Sequence, residues 1–404
     1  MKECTAQKHN TIWSSSAGFS LVELIIVMGL FLVVIMISTS AFDSILSGAK
    51  QQMASSESNI QGIVGLEMMR WDIENAGYGL PWQLGFSATF EESTQAADSL
   101  ADGIDPTDFN DNNLPVAAGD PNNVPRAIQS GTASGAGEWE NGRDYIVIKS
   151  AAVGTDAAAK KWAYLEGVDP NSFIKESGSD DLLEKDRVIT LDARTRRLIA
   201  ASTAAFSYAV PARTSGKFVP PVEYQPKQDT DVYLVYGIEA WNDTTSTLRV
   251  PYNRVDYYIR RPAENNDISA RCAPGTGILY KGNLNHSDGK VSQYPLYDCV
   301  ADMQVVYALD TNGDGAVDFH GDQDALQAMS AKTIRSQLKE IRVYILTHEG
   351  QKDRLYKYTS GSNIQVGETG QGRVYDVSKL QNIGGSWENY RWKTYTIVVT
   401  PNNL

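Results

Sequence analysis

The sequence predicts an α+β protein, with a long N-terminal helix followed by an antiparallel β-rich region. Three observations carry this. Phe19 to Phe42 is a long apolar run broken by one carboxylate. Beyond residue 143, segments such as Arg342-Val343-Tyr344-Ile345 alternate polar and apolar side chains, the period of a strand with one covered face. No regular alternation of strands with helices occurs, which excludes a doubly wound parallel sheet.

The N-terminus comes first. Residues 1–18 are polar and carry Lys2 and Lys8 against Glu3. Phe19–Phe42 then provides about 24 residues, about 36 Å as a helix, enough to span a bilayer. Lys2 and Lys8 precede the run and Asp43 follows it, a bias that keeps the N-terminus cytoplasmic. Glu23 lies near the start of the run, where an unpaired carboxylate costs about 2.5–3.5 kcal/mol at membrane depth. A secretory signal would place its cleavage site after the apolar stretch. Here Gly18 stands immediately before it.

The helix is expected to continue to residue 76, so that 43–76 forms its half outside the membrane. Leu46, Met53, Ile60, Val64, Met68 and Trp71 recur at helical spacing and form one apolar stripe. Gly48, Gly62 and Gly65 each lower helix propensity by about 1 kcal/mol relative to Ala. Gly77 and Gly79, with Pro81 beyond, supply the stop.

Residues 77–142 are loop-rich, and 87–142 in particular are dominated by Asp, Asn, Gly, Ala and Pro, the composition of a surface excursion. Asp98, Asp102, Asp105, Asp108 and Asp111 follow no metal-loop spacing and are expected to be solvated. Residues 143–404 form the β-rich domain. Strands are expected at Asp144–Lys149, Arg187–Leu191, Asp231–Tyr236, Arg254–Arg260, Gly277–Lys281, Met303–Leu309, Lys339–Thr347 and Lys393–Thr400. A short helix is expected near Gln323–Ser330.

One motif has the spacing of a cation loop. Asp310-Thr311-Asn312-Gly313-Asp314-Gly315-Ala316-Val317-Asp318 fits the first nine positions of a calcium loop. Asp310, Asn312, Asp314 and Asp318 would supply side-chain oxygens to Ca2+, and Ala316 its backbone carbonyl. The bidentate Glu at position twelve is replaced by Gly321, leaving Asp322 or Asp324 to substitute. A strand enters the loop where an EF-hand has a helix. The alternative reading is an Asp/Asn/Gly-rich turn that needs no ion.

The N-terminal pattern Gly18-Phe19-Ser20-Leu21-Val22-Glu23 resembles that of type IV prepilins. The resemblance implies cleavage between Gly18 and Phe19 by a prepilin peptidase, N-methylation of Phe19, and a meeting of Glu23 with the N-terminal amine of a neighbouring subunit. The physics agrees, because a buried carboxylate and a buried amine each cost less when paired. More widely, the chain resembles the PilW family of minor pilins. The helix exit Trp71-Asp72-Ile73-Glu74-Asn75-Ala76-Gly77-Tyr78-Gly79 carries this, as do Val300–Tyr307 with Asp310–Gly315, and Lys339–Leu346. The fold implied is type IV pilin-like, anchored in the inner membrane by a single pass with a periplasmic C-terminal domain. The implied partners are other minor pilins, the major pilin, the peptidase and the inner-membrane assembly platform. The implied role is priming pilus assembly, with a place at the pilus tip. A J-type pseudopilin of a type II secretion system and a tip adhesin are the alternatives.

With the leader removed, Cys4 goes and Cys272 and Cys299 remain. In an exported domain such a pair is expected as a disulfide, two buried thiols being the alternative. It would close a loop of about 27 residues, worth about 3 kcal/mol in the chain-entropy model. Nucleic acid is not an expected partner: the net charge is −13 and no extended run of Lys or Arg occurs. Nor is catalysis expected. His286, His320 and His348 are dispersed, and no nucleophile elbow, zinc-protease helix or phosphate-binding loop is present. Gly367–Gly372 reads as a loop.

Overall fold

The computed structural model describes residues 20–84, 90, 92–95, 105–111, 124–133, 142–168, 173–174, 181–202, 206–214, 217–240, 247–261 and 268–404. The chain divides into two compact units, Met1–Met53 and Ala54–Leu404. Helix α1 spans Leu21–Glu74. Its Leu21–Asp43 segment, in the first unit, has a mean hydropathy of 2.9 and no buried residue, the length and composition of a membrane span.

The second unit, among the described residues, holds an eight-stranded sheet. Its strands are β2 (Ile128–Ala133), β3 (Arg143–Ser150), β10 (Asn253–Arg260), β11 (Gly277–Leu284), β12 (Val291–Leu309), β13 (Phe319–Gly321), β14 (Leu338–Glu349) and β17 (Arg391–Val399). Their order is β17-β14-β12-β11-β10-β3-β2, with β13 added beside β12. Every pairing in it is antiparallel. A five-stranded sheet is built from β1 (Gln83–Leu84), β4 (Trp162–Glu166), β5 (Arg187–Asp192), β6 (Arg197–Ile199) and β9 (Val232–Glu239). Only its β1–β6 pair is parallel. Two hairpins complete the strands: β7 (Ala212–Thr214) with β8 (Lys217–Val219), and β15 (Asn363–Glu368) with β16 (Gln371–Asp376). The second hairpin turns through Gly367–Gly372, which the sequence reading left as loop.

The eight expected strands all appear. The longest extends well beyond its expected start at Met303: β12 begins at Val291. Pro295 and Cys299 break its pattern, and register shifts mark the same stretch. Strand β2 lies within 87–142, where no strand is expected; it pairs only with β3 and sits at the sheet edge. Gln323–Leu326 is a 3-10 turn, and the following helix α2 is Ala331–Gln337. Ser330, expected inside a helix, is the N-cap of α2 and accepts from the Thr333 N–H at 3.2 Å.

The main core lies between the end of α1 and one face of the large sheet. Leu66, Met69, Ile73 and Ala76 are buried there with Ile146, Tyr257, Leu279, Val305 and Ile345. This is not the expected stripe. Val64 is 62% exposed and Met68 42%, while in the first unit Leu46 is 41% exposed and Met53 72%. The inner face is set by glycine. A Cβ on Gly62 would lie 2.7 Å from Tyr297 Cζ, and one on Gly65 2.9 Å from the Leu296 carbonyl oxygen. These glycines let the helix backbone approach β12 closely, so their face turns inward. At the helix exit Gly77 has φ +82°, and its N–H donates to the Lys149 carbonyl at 3.0 Å. Cys272 and Cys299 form a disulfide with Cα atoms 4.8 Å apart, joining the turn before β11 to β12.

One ion pair crosses the main core. Asp72 of α1, 1% exposed, accepts from Lys281 Nζ of β11 and from Tyr257 Oη of β10, both at 2.5 Å. Burial pushes the Asp72 carboxyl up, and Lys281 and Tyr257 oppose that shift. Breaking such a pair leaves an uncompensated buried charge. Asp72→Ala is therefore expected to lower the unfolding free energy by about 3–5 kcal/mol, measured by denaturant titration of the full chain in detergent. A change under about 1 kcal/mol would show that Lys281 finds another partner.

Candidate functional site

Three places carry the features singled out in the sequence. In the first unit, Gly18 and Phe19 lie outside the described residues. Glu23 stands in the first turn of α1, exposed, and accepts from the Ser20 N–H at a long 3.4 Å. The apolar side chains around it are exposed as well, among them Leu21, Val22, Ile26 and Val27. No Lys or Arg occurs between Phe19 and Ala49, so this stretch supplies Glu23 with no cationic side chain. In the second unit, the face of α1 turned away from the core carries exposed Ile63, Val64 and Met68.

The second place is the loop between β12 and β13. Leu309 pairs with Phe319 and Tyr307 with Gly321, so residues 310–318 close a hairpin. Asp310 is 2% exposed and accepts from the N–H groups of Gly313 at 2.7 Å, Asp314 at 3.2 Å and Gly315 at 2.9 Å. Lys339 Nζ lies 3.4 Å away. Against burial, which would raise it, the Gly315 and Gly313 amides and Lys339 hold the Asp310 carboxyl below its usual range. Asp318 accepts from the Thr311 N–H and hydroxyl and from the Asn312 N–H, and these hold it low as well. Asp314 accepts from Asn312 Nδ2 at 3.2 Å and from the Ala316 N–H at 2.8 Å. Asp310, Asn312, Asp314, Ala316 and Asp318 thus share one turn. Asp322 does not join them: β13 runs back along β12 and carries it past Tyr307. Among the described residues, no group of three or more His, Cys, Asp or Glu side chains is arranged to hold a metal ion.

The third place is around the Asp302-Met303-Gln304 segment of β12. Asp302, fully buried, accepts from Arg373 of β16 through Nη2 at 2.5 Å and Nε at 2.9 Å. Gln304 Nε2 donates to the Gly142 carbonyl at 2.7 Å. Asp144 of β3 accepts from the Val305 N–H at 2.8 Å. Burial, reinforced by the Asp302 carboxylate, pushes Asp144 up to about 8 against that N–H.

Sequence reasoning missed the buried charges. Asp98 and Asp102 lie outside the described residues. Asp105 accepts from the Thr107 N–H at 2.8 Å. Asp111, read as solvated, is instead half-buried and paired with Arg126 at 2.8 Å and Lys149 at 3.0 Å. The available signal was Lys149 at the end of Tyr145-Ile146-Val147-Ile148, and Arg254 and Asp256 alternating in β10. Charges inside apolar strands are buried only when paired.

Two family models match the chain. Residues 256–403 match the type IV pilus-assembly protein W family, and residues 13–39 match the prokaryotic N-terminal methylation motif. Neither the curated proteins nor the solved structures give a significant match.

The Asp144 shift sets a pH dependence. Its folded value lies above the unfolded value of about 3.9, so the native state holds more protons between these limits. Stability from this group is present at low pH and is lost as pH rises from about 4 through about 8. Asp144→Asn is expected to flatten the stability profile across that window, measured by denaturant unfolding at a series of pH values.

Proposed function

We propose that this chain, a PilW-type pilin with a prepilin-type N-terminal motif, is a minor pilin that primes assembly of a type IV pilus and sits at its tip. The observation that carries this is Glu23: an exposed carboxylate in an exposed apolar helix whose own stretch offers no cation. Such a group in lipid needs an amine from elsewhere. A leader cut between Gly18 and Phe19 creates one, the N-terminal amine of a neighbouring pilin. The span then holds the chain in the inner membrane with its β-rich domain in the periplasm, in reach of the peptidase and the assembly platform. Other minor pilins and the major pilin pack against the exposed apolar side chains of the Leu21–Asp43 segment. Both matched families are structural components of pili, and the function rests on packing rather than on catalysis.

Glu23→Ala is expected to leave leader removal intact, read as normal mobility of the mature chain on a blot. Piliation should fall by about tenfold or more, since 1.4 kcal/mol of docking energy already corresponds to tenfold. Wild-type pilus numbers in that strain would remove Glu23 from the assembly contact.

Calcium at the Asp310–Asp318 loop forms a second part of the proposal. Its donor set is oxygen-only and alternates along the turn, with Gly315 at φ +92° allowing the sharp bend. Asp310, Asn312, Asp314 and Asp318 would hold the ion with the Ala316 carbonyl, and Asp314 and Asp318 would leave their amide partners to do so. Bound calcium fixes the hairpin end. Calorimetry of the full chain in detergent should show calcium binding that Asp314→Ala abolishes. At one hundred times the Kd, unfolding should become harder by about 2.7 kcal/mol. Neither heat nor a melting shift on addition of calcium would leave a turn that needs no ion.

A further inference from the structure

A buried cluster of charged side chains lies apart from all three places described above. Glu92, in the excursion that the sequence assigns to the surface, is 2% exposed. Its Oε1 accepts from Lys149 Nζ of β3 at 2.6 Å and from Tyr252 Oη at 2.6 Å. Its Oε2 accepts from Arg254 Nη1 of β10 at 2.6 Å. Lys149 is fully buried, and its Nζ also reaches Asp111 Oδ2 at 3.0 Å. Asp111 is held in turn by Arg126 at 2.8 Å, and Arg254 by Asp256 at 2.8 and 2.9 Å. Three cations thus face three carboxylates.

A structural ion-pair network needs only charge balance. This one has further order around a single carboxyl carbon. A primary amine stands against Glu92, a second carboxylate is in hydrogen-bond reach of that amine, and two donors grip the Glu92 oxygens. We propose that Lys149 and Glu92 condense to an intramolecular amide, cross-linking the excursion to the large sheet.

The step balances within the chain. Lys149 Nζ–H3+ gives a proton to Asp111, which lies within the range of a general base. The freed lone pair attacks Glu92 Cδ. Arg254 and Tyr252 donate to the oxygens on which negative charge gathers, as an oxyanion site does. Asp111 passes its proton to one Glu92 oxygen, the second nitrogen proton follows, and that oxygen leaves as water. One Lys149–NH–CO–Glu92 bond forms, one C–O bond breaks, and no oxidant or co-reactant enters. The ground state suits these roles. Burial and the Glu92 carboxylate keep the Tyr252 hydroxyl protonated as a donor. Asp111 has one oxygen 3.0 Å from Lys149 Nζ while Arg126 Nε holds the other at 2.8 Å, which keeps it placed as the acceptor. Condensation also removes one buried charge pair, which low dielectric favours, and leaves Arg126 and Arg254 balanced by Asp111 and Asp256. Fixed contact replaces a bimolecular encounter.

The test is mass spectrometry of the full chain purified from membranes, reduced, denatured and digested. The expected result is one peptide pair, joined between Glu92 and Lys149, with the summed mass less one water, and no reaction of Lys149 with an amine-reactive label. Asp111→Asn should restore the two linear peptides and labelling of Lys149, as should Glu92→Ala should that variant accumulate. Linear peptides with full labelling of Lys149 in the wild-type chain would overturn the proposal and leave the cluster as an ion-pair network.

Discussion

The second unit depends on how α1 is held against its sheet. That contact has two parts, and both concern short distances. Gly62 and Gly65 remove side chains so that the helix backbone can approach Tyr297 and Leu296. Asp72 then fixes the rotation of the helix, because only one orientation brings its carboxyl to Lys281 and Tyr257. A purely apolar face could slide by a turn at small cost. A buried carboxylate cannot, because each misplacement leaves a charge without a partner. The glycine face and the Asp72 contact therefore select which side of α1 is inward in this unit, and by exclusion which side stays exposed.

That selection explains the main failure of the sequence reading. Apolar periodicity in α1 was legible, but it was legible on two faces. Met53, Val64 and Met68 satisfy the helical spacing as well as Leu66, Met69 and Ile73 do. Hydrophobicity alone cannot tell a face that packs on its own sheet from one that remains exposed. The informative residues were those that lower helix propensity, Gly62 and Gly65, since a helix keeps glycines where a backbone must come close.

The strands show the same limit in another form. Alternation identified β10 and β14 because nothing interrupts them. It missed the first half of β12, where Pro295 and the turn of register near Cys299 break the period. It missed β2 because Ile128-Gln129-Ser130-Gly131-Thr132-Ala133 has too few apolar residues, and an edge strand needs few. Composition misjudged the excursion for a related reason. Its Asp and Asn content was read as solvation, yet Asp111 meets Arg126, and Glu92 meets Lys149 and Arg254, which lie outside the excursion. A charge inside an apolar strand signals that a partner exists, but not which residue it is. The N-terminal motif was readable because its spacing is local, and so was the turn at Asp310–Asp318.

The positions of the polar groups follow one rule. Where the chain is covered by its own fold, each charge named above has a partner of opposite sign or a set of backbone donors: Asp72 with Lys281, Asp302 with Arg373, Asp310 with three amides. Glu23 departs from that rule. It sits in the most apolar part of the chain, and the nearest cation along the sequence after Phe19 is Lys50. The Leu21–Asp43 segment thus carries a carboxylate with no cationic side chain in its own stretch, a costly arrangement at membrane depth. In the first unit the apolar residues around Glu23, among them Leu21, Val22, Ile26 and Val27, are exposed, and in the second unit so are Ile63, Val64 and Met68. The β-rich unit completes its own core, whereas the Leu21–Asp43 segment leaves its apolar side chains exposed, as a membrane span does.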